Sequence, residues 1–305
     1  RFIQTGAESE SRGQMRGLWS ILLAFFLVVA TTHASNDRGL FWKVQAENAT
    51  VYLLGSIHYA DESFYPLRRE IEEAFSRSDH LVVEINIDDT KAKKYRELIR
   101  EKGSYQGETT IRDEITRQTY RKLESVLRRL DVPMEMVHKQ KPGILVLTLT
   151  SIQVMRMGFM PEMGIDAYLL RKASGTGKDI IELETIDQQI EIFLNISDGD
   201  LLLREALFSL DDADMQMMDM IFCWKSGDEA CIESILFEDA LTNYPSFVSI
   251  YDILFFRRNE DMANDIKTFL DGNGTYFVVV GAGHLVGDKG IPDLLRNAGY
   301  QVRRL

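Results

Sequence analysis

The chain has 305 residues, is 45% apolar and carries a formal net charge of −12. That apolar share can fill a full core and excludes a disordered chain. With no Lys/Arg stripe to offset the acidity, nucleic acid and anionic lipid are excluded as expected partners.

In chain order, Met15-Arg16 opens a signal-peptide pattern. A basic start is followed by an apolar run from Leu18 to Ala30 and by Thr32-His33-Ala34 as a small-residue cleavage site. The run is shorter than the ~20 apolar residues that span a bilayer. Cleavage after Ala34 is therefore expected, leaving no stable membrane span and an exported protein, periplasmic or extracellular. Residues before Met15 read as upstream sequence. Loss of residues 1–34 removes three arginines and two glutamates, which takes the charge to −13. Residues 35–305 are expected to form a single domain. Cys223 and Cys231 are the only thiols, too few for a tetrahedral cysteine metal site. In an oxidising compartment they are expected to form one disulfide across a helical hairpin around Trp224-Lys-Ser-Gly-Asp228.

Leu40-Phe-Trp-Lys-Val44 and Val51-Tyr-Leu-Leu54 read as a β-hairpin that runs into a Gly turn. Pro66 suits the first turn of a helix to about Ser76, and Leu81-Val-Val-Glu-Ile85 is a short apolar strand. Helical periodicity fills residues 91–160, a helical insert. A helix starts at Gly164-Ile-Asp166, and Asp179-Ile-Ile-Glu-Leu-Glu184 returns to strand before a helix over 188–194. Ser174-Gly-Thr-Gly177 lacks phosphate-loop spacing and reads as a turn. Residues 198–271 are almost entirely helical, with Met215 to Met220 packing a helical core. The end is β-α-β again: Tyr276 to Val280, a helix over 291–297, and Tyr300 to Arg303. The fold class is mixed α/β, with two short pseudo-symmetric sheet halves and a large helical cap.

The two ends carry one construction twice. Leu53-Leu-Gly-Ser-Ile-His58 matches Val279-Val-Gly-Ala-Gly-His284, and Pro66 and Pro292 each follow the histidine by eight residues. Gly55 and Gly281 end strands where a side chain would obstruct the turn, which leaves His58 and His284 beyond the strands' carboxyl ends. In open α/β sheets that edge binds ligands. Glu84 interrupts one apolar strand and Glu184 ends another, where ionised side chains need a partner or a metal. Alternation puts Glu182 on the same face as Glu184, so spacing does not separate those two. Two histidines and a carboxylate commonly hold a catalytic divalent metal, and histidine ligands favour zinc, manganese or cobalt over calcium.

These residues resemble the TraB/GumN family. The likeness rests on Tyr52-Leu-Leu-Gly-Ser-Ile-His58, Phe64-Tyr-Pro-Leu67, Leu81-Val-Val-Glu84, Gly164-Ile-Asp166, Leu183-Glu-Thr185 with Gln189, Arg258-Asn259 and Val278-Val-Val-Gly-Ala-Gly-His-Leu-Val-Gly287. That family is similar in turn to the secreted Tiki metalloproteases and, more distantly, to erythromycin esterases. The resemblance implies a metal-dependent, peptidase-like hydrolase in which His58, His284 and Glu84 hold the metal. On this reading Glu184 takes the proton of the attacking water, and Arg258 stabilises the oxyanion or binds a substrate carboxylate. Arg258 as a buried partner of Glu184 is the equal alternative. Asn259 and Asp166 read as structural, Asp166 as a helix cap. Metal-free ester hydrolysis with a histidine base, and a protein that binds a peptide or saccharide without chemistry, are the other two expectations. The expected partner is a peptide or small-molecule substrate.

Overall fold

A computed structural model describes residues 37–86, 89–238, 241 and 248–305. The expected signal peptide and its cleavage site lie outside the described residues. Six strands form one sheet: β1 Phe41–Gln45, β2 Ala49–Ser56, β3 His80–Val83, β4 Asp179–Glu182, β5 Gly274–Gly281 and β6 Gln301–Arg304, in the order β4-β3-β5-β2-β1-β6. The fold is therefore mixed α/β, and the two expected halves join in one continuous sheet. β4, β3, β5 and β2 run parallel, and β1 pairs antiparallel with β2 and with β6. Strands of a parallel interior are covered on both faces and so read as unbroken apolar runs. Leu81-Val-Val83 and Phe277-Val-Val-Val280 are such runs, and all seven residues are buried.

The duplicated units sit side by side. β2 and β5 are neighbours in register, with Gly55 opposite Val280 and Ser56 opposite Gly281. From β2 the chain crosses beyond β5 to β3, and from β5 it crosses in the opposite direction, beyond β2, to β6. The symmetry is broken by β1, which takes the place beside β2 and leaves β6 on its outer edge. Arg304 closes that edge: its guanidinium lies 4.1 Å from the Trp42 ring centroid and donates to the carbonyls of Gly39, Phe41 and Gly227.

The helices are α1 Arg69–Arg77, α2 Asp89–Lys102, α3 Ile111–Glu114, α4 Arg117–Arg129, α5 Pro142–Arg156, α6 Ile165–Thr176, α7 Ile186–Leu194, α8 Gly199–Ser209, α9 Ala213–Ser226, α10 Glu229–Glu233, α11 Val248–Tyr251, α12 Arg257–Leu270 and α13 Ile291–Asn297. Helices α4, α5 and α8 bury a core of their own, made by Leu123, Leu127, Leu145, Leu149, Leu203 and Leu207. Among the described residues, no helix is long and apolar enough to cross a membrane.

Three local expectations are corrected. Pro66 does not open a helix: it follows a cis peptide bond, and α1 starts after Arg68, whereas Pro292 does sit in the first turn of α13. Ser174 to Thr176 complete the last turn of α6, and the turn itself is Gly177 in the left-handed conformation (φ 68°) that ends many helices. Met215 and Met218 face solvent, so only Met217 and Met220 of that run pack inward.

The cysteines form the expected disulfide. α9 ends at Gly227 (φ 71°), Asp228 accepts the Cys231 N–H to cap α10, and Cys223 bonds Cys231 with Cα atoms 5.8 Å apart. Next to it, buried Trp224 packs on Phe64 and donates from Nε1 to the Gly55 carbonyl at 2.7 Å. The hairpin therefore braces the end of β2, just where the first histidine turn begins. Replacing both cysteines by serine should cost about 2–3 kcal/mol, the chain-entropy value for a loop this short. Urea unfolding of the two oxidised proteins measures it, and a midpoint unchanged by the double substitution contradicts the bracing role.

Candidate active site

Four parallel strands end at one edge, and each delivers a polar group there. β2 leads through Ser56 to His58, β3 ends one residue before Glu84, β5 ends at Gly281 before His284, and β4 ends two residues before Glu184. Both glutamates thus lie just past their strands, not within them. The sheet ladder continues through them, since the Glu184 N–H donates to the Glu84 carbonyl at 2.9 Å. Glu182, which spacing could not set apart from Glu184, instead accepts the Asn86 N–H and pairs with Lys91, so it belongs to the sheet's outer edge.

Both histidines approach one point. A methyl group built on Gly281 would lie 3.1 Å from His58 Nε2, 3.4 Å from Glu84 Oε1 and 3.5 Å from His284 Cδ2. A Cβ there would intrude on the space the three side chains face and would crowd His58 most. At Gly55 a Cβ would come within 3.2 Å of the Ala282 Cα, so the two histidine turns also touch through their backbones.

Glu84 is the hub. Its Oε1 accepts the Gly281 N–H at 2.6 Å and stands 3.9 Å from His284 Nε2; its Oε2 accepts from Arg258 at 2.7 Å and from Gln189 at 3.4 Å. Arg258 also forks onto Glu184, with Nε–Oε1 2.6 Å and Nη2–Oε2 2.7 Å, and its Nη1 donates to the Leu254 carbonyl. Burial alone would raise the Glu84 carboxyl, but His284, His58, Arg258 and the Gly281 N–H outweigh it and bring it down to about 2. Burial also lowers the Arg258 guanidinium, but its two carboxylates prevail and raise it.

The two histidines are held differently. His284 is buried; its Nδ1 meets the Asn259 Oδ1 at 2.5 Å, and Asn259 Nδ2 donates to the Lys289 carbonyl, which fixes the amide's orientation. Burial lowers His284 to about 4, with Glu84 opposing and Arg258 assisting. Its imidazole is thus neutral near pH 7, with the proton on Nδ1 and the Nε2 lone pair turned to Glu84. The charges that keep Glu84 ionised are then those of His58 and Arg258. Burial also disfavours a charge on His58, but Asp166 at 3.1 Å from Nδ1, together with Glu84, outweighs it and raises His58 to about 9. Half of this side chain is open to solvent (54%), which makes it the accessible member of the pair. Asp166 in turn accepts from Ser56 Oγ at 2.5 Å. It does not cap α6, whose N-cap is Gly164.

Asp166 and Asn259, read from the sequence as structural, are therefore the groups that orient the two imidazoles. Ser56 and Gln189 complete the network. The only sequence signals for these four were their places within Gly164-Ile-Asp166, Arg258-Asn259, the first glycine turn and Leu183-Glu-Thr185 with Gln189.

Nδ1 tied to an acceptor and Nε2 free is how metal-binding histidines are usually prepared, so the donor types suit a divalent transition ion. Among the described residues, however, no group of three His, Cys, Asp or Glu side chains stands close enough to hold one as placed. Glu84 Oε2 is taken by Arg258 and Gln189, while Oε1 accepts only the Gly281 N–H and keeps a lone-pair direction on the side of His284.

The fold and this edge define an α/β protein with a paired-histidine crevice at the carboxyl ends of its parallel strands. The chain belongs to the TraB/PrgY/gumN family, whose model matches residues 40–304. It is similar to the uncharacterized protein YbaP of Escherichia coli, at 23% identity over 249 residues, 82% of this chain and 89% of that protein. It is also similar to a metalloprotease TIKI homolog of Amphimedon queenslandica, at 23% identity over 93% of this chain and 66% of that protein. A metalloprotease TIKI homolog of Nematostella vectensis shows 24% identity over 89% and 68%, respectively. No solved structure matches the chain.

Two substitutions probe the site without any substrate. Arg258→Met removes the counter-charge from two buried carboxylates and should destabilise the fold by about 3–5 kcal/mol; a loss below about 1 kcal/mol in urea unfolding would show that Arg258 does not sustain the pair. Gly281→Ala should leave far-UV circular dichroism unchanged while shifting the NMR signals of both imidazoles. Unmoved signals would mean that the common point is not where the side chains actually meet.

Proposed function

We propose that the protein is an exported, metal-dependent hydrolase of peptide or related acyl bonds. The observation that carries this reading is the approach of two Nε2-presenting imidazoles and the ionised Glu84 to one point above Gly281. The name of the TIKI relatives supports it from outside, and the disulfide accords with an oxidising compartment.

The residues proposed to hold the metal are His58, His284 and Glu84, with manganese, cobalt or zinc as the ion. When bound, the ion would polarise the scissile carbonyl and make water nucleophilic near neutral pH. The protein's own groups do the rest. Asn259 keeps the His284 proton on Nδ1, so Nε2 stays a donor of electrons. Asp166 also binds Nδ1 of His58, but its charge favours the imidazolium, so His58 must release its Nε2 proton before that nitrogen can donate to the ion. Arg258 holds Glu84 in place and neutralises part of its charge.

Glu184 is the proposed acceptor of the water proton. Arg258 occupies one lone-pair direction on each of its oxygens and Gln189 a second one on Oε2, which leaves a direction on Oε1 for that proton. Arg258, already committed to both glutamates, acts as a positioning residue, and we assign it the oxyanion role only if Glu184 releases its fork.

A second reading has one observation behind it. The Asp166–His58 contact is also the pairing of a metal-free histidine acid–base, with the ring half open to substrate.

Metal analysis of the purified protein and of His58→Ala and His284→Ala separates the readings. About one equivalent of metal in the parent protein and at least a tenfold weaker affinity in both variants, the least that losing even a hydrogen-bonded partner of a ligand costs, is the expected result. Equal metal content in all three excludes this ligand set. Hydrolysis that survives strong chelators moves the assignment to the Asp166–His58 pair.

A further inference from the structure

A cavity of about 710 Å³ opens in the helical cap directly behind the second histidine turn. Its walls come from α5, α8, α9 and the residues around α11, and Met217, Met220, Leu236, Ile250, Leu254 and Phe255 make them largely apolar. Two of these residues also form the wall of the site. The Phe255 ring centroid lies 5.4 Å from that of His284. Phe255 Cε1 and Leu236 Cδ1 stand 2.8 and 2.9 Å from where a Cβ on Gly283 would sit, so this glycine lets them press against the histidine turn.

A rare backbone feature creates the junction. Between α11 and α12 the chain makes a π-helical turn over Asp252–Phe256. Such turns are uncommon and cluster at functional sites. This one aims the Leu254 carbonyl at Arg258 and the Phe255 ring at His284, while Phe237 meets Phe255 edge-on at 5.2 Å and holds the ring. One segment thus shapes the cavity and braces two residues of the site. A space this size, mostly apolar with a few polar groups, is typical of a ligand pocket. Among the described residues, Glu205 is the only charged one lining it.

We infer that the cavity receives an uncharged, apolar side chain of the substrate next to the bond presented to His58 and His284, so that the enzyme selects peptides with leucine-, methionine- or phenylalanine-like residues beside the cleavage point. The inference rests on the hydrolase reading above. An acidic residue entering there would meet Glu205 and lose its hydration among methionines, which supplies the discrimination.

The test has two arms, both on the metal-loaded full chain. A synthetic peptide mixture with all residue types flanking each bond is digested and its cleavage sites are read by mass spectrometry. Binding of acetyl-Leu-Phe-amide and acetyl-Asp-Glu-amide is measured by calorimetry. Each arm is repeated with Ala206→Trp and Met220→Trp, which fill the cavity from opposite walls, after circular dichroism melting shows which of them folds. The expected result is at least a tenfold preference in kcat/KM for apolar over acidic flanks, a ratio a hydrophobic pocket can supply. It should fall below about threefold in a folded filled variant that still cleaves glycine-flanked bonds. Cleavage without preference, or a preference that survives filling, overturns the inference and leaves the hydrolase reading intact. No cleavage, with the Leu-Phe probe binding the parent but not the filled variant, overturns the hydrolase reading and keeps the cavity as an apolar peptide site. Neither cleavage nor binding overturns both.

Discussion

Placing an ionised carboxylate where four parallel strands end imposes a demand that the surrounding elements must meet. Glu84 is nearly buried, and a charge in that setting is tolerated only with counter-charge and hydrogen bonds supplied together. Gly281 provides an N–H from β5, Arg258 provides a guanidinium from α12, and Gln189 leans in from α7. Three parts of the chain, up to 197 positions from Glu84, are thereby tied to its side chain. The same guanidinium gathers Glu184 from the end of β4, so the placement of every proposed acidic group depends on this cluster.

Much of the scaffold was legible because its signals are local. The hairpin of β1 and β2, the apolar runs of β3 and β5 and the C-terminal β-α-β unit are patterns of adjacent residues, and α13 spans the expected 291–297. Strand order was not legible. The expectation of two sheet halves left open that β2 and β5 are neighbours, because parallel pairing joins residues more than 200 apart and leaves no periodic trace in the sequence. The proline spacing looked like independent support for the duplication, but only Pro292 starts a helix. Pro66 shows that an equal interval in sequence can hold unequal backbone.

For the site, carboxylates in or at the end of apolar strands marked Glu84 and Glu184, and the repeated glycine turn marked both histidines. Asp166 was read as structural because an aspartate near a helix start has a ready local explanation, and Asn259, within an expected helical stretch, carried no local sign of a partner. Their actual partners lie 108 and 25 residues away, and only the tertiary fold brings them there. Glu182 and Glu184 carry the same local pattern. What separates them is that one lies within an edge strand and pairs with Lys91, while the other lies past the strand's end, where Arg258 reaches it.

The duplicated turn was then put to two unequal uses. Each histidine has Nδ1 bound to an oxygen acceptor and Nε2 pointed at the common space, so ring orientation is conserved between the repeats in geometry. The acceptors differ in charge. Beside the buried His284 stands a neutral amide, and a carboxylate there would have added an anion without a counter-charge of its own near Glu84 in a region that water does not reach. Beside the half-open His58 stands a carboxylate, whose charge water and Ser56 share. The buried ring is thereby kept neutral and fixed, while the outer ring can carry a charge and meet an incoming molecule. A symmetric fold thus yields an asymmetric pair through the choice of one neighbour for each ring, and the apolar cavity opens behind the neutral, buried one.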